Sequence, residues 1–120
     1  MEINEIFSNY FIADGQVISL KIDFNSDSNS LTSATIILKI RQNIGDKKTK
    51  ETLLQLFFTD LTQLDIIETF DSTNYSDIKL IILETGEHYL SLDPYDNSAI
   101  PNEKDNFKIK AKTINIIELE

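Results

Sequence analysis

What most limits the folds open to this chain is an alternation of apolar and polar side chains with a period of two. In QVISLKIDF (16–24), Ile18, Leu20, Ile22 and Phe24 fall on one side, and Ser19, Lys21 and Asp23 on the other. In TIILKIRQ (35–42), Ile36, Leu38 and Ile40 oppose Lys39 and Arg41. Near the end, Phe107, Ile109 and Ala111 alternate with Lys108, Lys110 and Lys112 before the apolar phase moves to Ile114 and Ile116. Successive side chains of a strand point to opposite faces, so each stretch reads as an antiparallel strand with one face buried. The slip inside the last run predicts a bulge, or a strand bending between two sheets.

The other segments fit around these strands. Ile3, Ile6, Phe7, Tyr10 and Phe11 recur at helical spacing, which predicts a short helix over 3–12, stopped by Asp14-Gly15. Such a helix persists only if docked on a core. In ETLLQLFFTDL (51–61), Leu54, Leu56 and Phe58 share a face while Leu53 and Phe57 populate the other, as in a central strand. LDIIETF (64–70) is a shorter strand candidate. DIKLIILETGEHYLSLD (77–93) reads as a hairpin of 78–84 with 87–93, turning at Gly86. Residues 94–105 hold both prolines and read as a loop. The expectation is a single mainly β domain, 1–120: an antiparallel β-sandwich or strongly bent sheet of about seven strands, with one short N-terminal helix.

Composition narrows the function. Apolar residues make up 41% of the 120, enough for a packed core. The absence of cysteine excludes disulfides, thiolate metal sites and a cysteine nucleophile, and suits a reducing compartment. The acidic start MEINEIFSNYFIADG is no signal peptide, and no apolar run approaches the ~20 residues of a membrane span. A soluble cytoplasmic protein is expected, and the Asn-, Ile- and Lys-rich usage suits an AT-rich bacterial genome. The net charge of −9 is unevenly spread. Residues 28–59 carry five cations against two carboxylates, whereas 60–105 carry eleven carboxylates against Lys79 and Lys104. That field repels phosphate backbones and favours basic partners.

No catalytic constellation emerges. DFNSDSNS (23–30) places Asp23, Asn25, Asp27 and Asn29 at alternate positions, but an EF-hand needs glycine and glutamate where Ser28 and Ala34 stand. A polar turn explains it better. His88 is the only histidine, which leaves no pair to anchor a metal and one base for any serine or threonine nucleophile. In a regular strand His88 and Asp93 point to opposite faces and form no dyad. The three glycines are too far apart to cradle a phosphate. Asp93 with Asp96, or Asp60 with Asp65, have the chemistry of an acid–base pair. With twenty acidic residues such spacings carry little information, and no tryptophan offers a sugar platform. The lysines at 108, 110 and 112 suit an exposed strand face that resists aggregation, and lack the aromatic interleaving of a nucleic-acid surface. No cofactor, metal, nucleic acid or membrane is expected.

LLQLFFTDLTQLDI (53–66), the strand-to-turn run HYLSLDPYDNS (88–98), the small size, the β character and the acidic balance together resemble the immunity proteins of bacterial polymorphic-toxin systems. The resemblance implies a non-catalytic protein-binding module that occupies one cognate toxin, and no catalytic residues. Steering by acidic loops and anchoring by exposed aromatics then make Asp71, Tyr75, Asp77, Tyr95, Asp96 and Glu103 the candidate contacts. The alternative is a β-sandwich that binds a small ligand or carbohydrate on a tyrosine surface, or a scaffold domain of a larger assembly.

Overall fold

Where the chain alternates most regularly it is also most deeply buried. The computed structural model describes residues 1–24, 32–66 and 77–119. After helix α1 (Ile3–Asn9) and a 3₁₀ turn (Ile12–Asp14) come six strands: β1 (Gln16–Asp23), β2 (Ser33–Gly45), β3 (Lys48–Asp65), β4 (Lys79–Ile82), β5 (His88–Asp93) and β6 (Asn106–Leu119). They form one sheet in the order β1-β2-β3-β6-β5-β4, with every neighbouring pair antiparallel. The outer strands β1 and β4 do not pair, so the sheet is not closed. Among the described residues there are thus six strands and no second sheet. The strand expected at 64–70 is not separate: Leu64 and Asp65 end β3, and 67–70 lie outside the described residues.

β3 is central, between β2 and β6, as its two apolar faces predict. Leu54, Leu56 and Phe58 meet Leu38, Ile36 and Ala34 across one ladder and Glu118, Ile116 and Ile114 across the other. The buried members of this set join Leu80, Leu90, Leu92, Phe107, Ile109 and Ala111 in one core. Each fully buried Leu or Ile contributes about 1.5–3 kcal/mol. The phase slip expected in β6 has a counterpart in β3. Buried positions run 107, 109, 111 and then 116 on β6, with half-buried 114 between, while on β3 they run 54, 56, 58 and continue at half-buried Leu61. Leu61 pairs with Ala111 and Phe58 with Ile114, so both strands change phase in the same three residues. Asp60 there has φ 58°, and the register shifts between Leu61 and Gln63. A residue in the left-handed region lets a strand turn its side-chain order over without breaking the ladder.

Two sequence expectations are corrected. In β1, Ile18 is 51% exposed and Val17 packs on the core with Leu20 and Ile22. A bulge between Val17 and Ser19 inverts the alternation at that point, and it falls on an outer strand, where bulges discourage pairing with other chains. The helix is shorter than 3–12. It ends at Asn9, and Tyr10 is extended and bridges Gln42 of β2. The buried stripe is therefore Ile3, Ile6 and Tyr10, while Phe7 and Phe11 are exposed. Arg41 stacks its guanidinium 5.3 Å from the Phe11 ring centroid and also pairs with Asp14.

Gly15 marks where the 3₁₀ turn meets the core. Its φ of −66° suits any residue, so space is what excludes a side chain. A Cβ there meets Ile40 Cγ2 at 2.9 Å, the Ile12 carbonyl at 3.1 Å and Ile78 Cδ1 at 3.1 Å. Gly15→Ala is expected to destabilise the fold by about 1–3 kcal/mol, as overpacking does. A denaturation midpoint equal to the parent's is the contrary result.

Candidate functional site

On β4 and β5 the core takes Leu80, Leu90 and Leu92, and the alternate residues face away. Lys79 pairs with Ser91 and Ile81 with Tyr89 across the ladder. This second face is not left to solvent. Residues 94–105 fold over it, so Lys79, Tyr89 and Ser91 are all buried. Pro94 starts the excursion by ending the ladder, since proline has no amide proton to give.

A buried ammonium holds the loop in place. The Lys79 side chain is 4% exposed, and its Nζ donates to Asp96 Oδ1 at 3.0 Å, to the Ile100 carbonyl at 2.9 Å and to both oxygens of Asp105 at 3.2–3.3 Å. The Asp105 side chain is fully buried. It also accepts from the Tyr89 hydroxyl at 2.7 Å and from the backbone amides of Tyr95 at 2.8 Å and Asn102 at 2.9 Å. Asp96 closes a smaller ring, accepting from the Ser98 amide and hydroxyl and from the Asn102 side chain. Every donor of the ammonium is used, as a buried charge requires. Lys79 is therefore a structural pin.

The protonation of these groups follows. Burial alone raises the Asp105 carboxyl, but the amides of Asn102 and Tyr95, the Tyr89 hydroxyl and Lys79 together hold it below the ordinary carboxylate range. Ser98 and then Lys79 push Asp96 strongly down. Burial first, then the hydrogen bond to Asp105, pushes the Tyr89 phenol well up. Both aspartates have folded pKa values below their unfolded value of about 3.9. The stability they supply is complete above that value and is lost as pH falls through the folded values. Equilibrium denaturation is expected to show a plateau at neutral pH and a decline below about pH 4. Asp105→Asn is expected to flatten that decline; an unchanged acid limb speaks against the assignment.

The pinned loop presents Tyr95 and Ile100, 60% and 67% exposed. The Lys104 ammonium lies 4.9 Å from the Tyr95 ring centroid. Beside the loop runs a groove of about 200 Å³, between Ile12–Ala13, Ile78–Ile81 and Asp96–Ser98, with exposed Asp77 on its wall. A second groove, of about 440 Å³, lies among β2, β3 and the end of β6. Its charges are already matched: Lys39 with Glu51, and Lys50, Thr52 and Tyr10 with Glu118.

Of the candidate contacts, Asp77, Tyr95, Asp96 and Glu103 cluster around the 94–105 loop and the groove, whereas Asp71 and Tyr75 lie outside the described residues. Their roles differ. Tyr95 and Glu103 are exposed, while the Asp96 carboxylate is engaged by Lys79, Ser98 and Asn102. Asp93 accepts from the Asn106 side chain, and the turns of the loop are capped by Asp96 and Asp105. His88 is half-buried, its Nδ1 lacks a partner among the described residues, and burial pushes its pKa down. Lys79, Asp105 and Tyr89 escaped the sequence reading. The one signal available was the spacing Asp96-x-Ser98 and Asn102-x-Lys104, where each side chain accepts from the amide two residues on. Comparison of the chain with protein-family models, with curated proteins and with solved structures finds no match to any of the three. Among the described residues no helix is long and apolar enough to cross a membrane, and no three metal-binding side chains converge.

Proposed function

We propose that this chain is a non-catalytic protein-binding module, an immunity-type inhibitor that occupies a basic toxin domain in the bacterial cytoplasm. The observation that carries this reading is the ordered display of Tyr95 and Ile100 on a loop pinned from beneath. A contact surface held in one conformation loses little entropy on binding, and aromatic anchors dominate such interfaces. The eleven carboxylates of residues 60–105 supply long-range attraction for a basic partner. The carboxylates of Asp96 and Asp105 are consumed in hydrogen bonds that hold the loop, which favours contact over catalysis. We also read the sheet as strongly bent. The amide of Ile78, just ahead of β4, donates to the carbonyl of Ala13, ahead of β1, although β1 and β4 lie at opposite ends of the sheet order.

The test is to express the protein encoded immediately upstream in the native genome, with and without this chain, and to titrate the purified pair by calorimetry. Growth arrest relieved by co-expression, and an affinity that weakens between about 50 and 200 mM salt, are expected. Tyr95→Ala and Ile100→Ala are each expected to weaken binding about tenfold or more, with an unchanged melting temperature. Affinity indifferent to both salt and the double variant overturns the reading.

A further inference from the structure

The groove beside the pinned loop lies along an open strand edge. Among the described residues β4 ends the sheet and pairs only with β5. In an antiparallel ladder the residues that exchange hydrogen bonds alternate along the strand. The Leu83 amide donates to the Glu87 carbonyl at 2.8 Å, which sets the phase: Ile81 and Lys79 also bond toward β5. Ile78, Leu80 and Ile82 therefore turn their amides and carbonyls outward. The Ile78 amide is taken by the Ala13 carbonyl at 3.1 Å, as though residue 13 began a neighbouring strand. That neighbour stops there, because the chain enters Gly15 and turns away into β1. No described residue pairs with the outward groups of Leu80 and Ile82.

Two further features bear on what fits. Four consecutive residues, Ile78–Ile81, line the groove, which is how a strand seen edge-on lines a cleft. Their span is about 10 Å at the rise of a strand, room for three or four extended residues. Of the charged residues on the lining, Lys79 and Asp96 pair with each other, which leaves exposed Asp77, without an ion pair among the described residues, as the uncompensated charge. The edge also lacks the usual guards: Lys79, its single lysine, is buried beneath the loop, and β4 has neither proline nor bulge. β1, at the other end of the sheet, has both a bulge and the exposed Lys21.

We propose that the free edge of β4 is a docking slot for an extended, lysine- or arginine-rich segment of a partner polypeptide, which adds as a strand beyond Ala13. Backbone groups of Leu80 and Ile82 bind its main chain, and Asp77 receives a cationic side chain. This rests on the protein-binding reading and names the kind of segment bound. It requires Asp96 to stay where Lys79 and Ser98 hold it, so the loop's pin also builds one wall of the slot.

The test uses the full chain, isotope-labelled, and a seven-residue probe peptide alternating lysine and valine. Its control is the same peptide with alternate backbone amides N-methylated. Saturable shifts confined to Ile78–Ile82, Ala13 and Asp96–Ser98, and slowed amide exchange at Leu80 and Ile82, are expected with the probe and not with the control. Ile82→Pro removes an outward amide but no bond to β5, so the hairpin survives and probe affinity is expected to fall about three- to tenfold. Asp77→Lys is expected to weaken it about tenfold. Equal binding of probe and control, shifts spread over the acidic surface, or protection of the same amides by self-association without peptide each overturn the proposal. A toxin bound through Tyr95 and Ile100 but unaffected by Ile82→Pro and Asp77→Lys overturns the slot alone. Failure of the unmodified chain to bind the toxin at all overturns the reading beneath it.

Discussion

Asp105→Ala is expected to destabilise the protein by about 3–5 kcal/mol, the range for removing one partner of a buried ion pair. The substitution deletes a fully buried carboxylate and with it the acceptor for the Tyr89 hydroxyl, two backbone amides and two of the contacts of the Lys79 ammonium. Lys79 keeps Asp96 and the Ile100 carbonyl, but Asp96 is partly exposed and its attraction is screened. For a domain of this size the loss corresponds to a fall in melting temperature on the order of 10–20 °C. Lys79→Met is expected to cost less, because Asp105 retains three hydrogen-bond donors and Met replaces the buried stem with similar volume. Amide exchange separates this from a general loss of stability. Tyr95 and Asn102 are expected to lose protection at denaturant levels where β2 and β3 keep theirs. A midpoint within about 0.5 kcal/mol of the parent, the scale of an ordinary surface change, contradicts the pin.

The same network shows where reading a sequence runs out. In DIKLII, Lys79 looks like the outward polar residue of an alternating strand, and in register that is what it is. What makes it structural is a carboxylate twenty-six residues later, brought over it by a loop with no period of its own. No local pattern encodes that return. The hairpin was legible because its determinants are local: two apolar runs and Gly86, which has φ 90°. The phase slip was legible in β6 because it shows in the order of side chains, Ala111 to Ile114. Its matching slip in β3 was not, because Asp60 at φ 58° changes the backbone and leaves the letters unremarkable. Ile18 failed for the same reason: a bulge moves a residue to the other face, and the sequence keeps its regular look. Phe7 and Phe11 depart from the expected stripe because helical spacing does not continue through Tyr10, where the backbone is already extended. Apolar spacing therefore located the elements, while backbone irregularities and long-range charge pairs decided which faces were covered. The candidate site falls partly in that second category: Asp77, Tyr95, Asp96 and Glu103 are readable in the sequence as loop residues, and the buried Lys79–Asp105 pin beneath them is not.

Phe57 and Phe58, adjacent and identical in type, offer the sharpest check on which face of β3 carries the core. Phe58 is fully buried, pairs with Ala34 on one side and Ile114 on the other, and sits just before the phase change at Asp60. Phe57, opposite Thr35 and Asn115, is half-buried on the other face. Truncating Phe58 to alanine removes the ring's transfer free energy and leaves a cavity that its neighbours, fixed in ladders on both sides, cannot fill. About 3–5 kcal/mol is expected for Phe58→Ala. For Phe57→Ala only partial burial is lost and solvent fills the space, so about 1 kcal/mol is expected. The ratio is more informative than either value, since both variants share the same unfolded chain chemistry and the same strand propensity change. Paired urea melts with matched slopes give it directly. Equal costs for the two positions mean that the second face of β3 is packed as tightly as the first. A larger cost at Phe57 inverts the assignment of the core, and with it the side of the sheet on which the 94–105 loop and its groove lie.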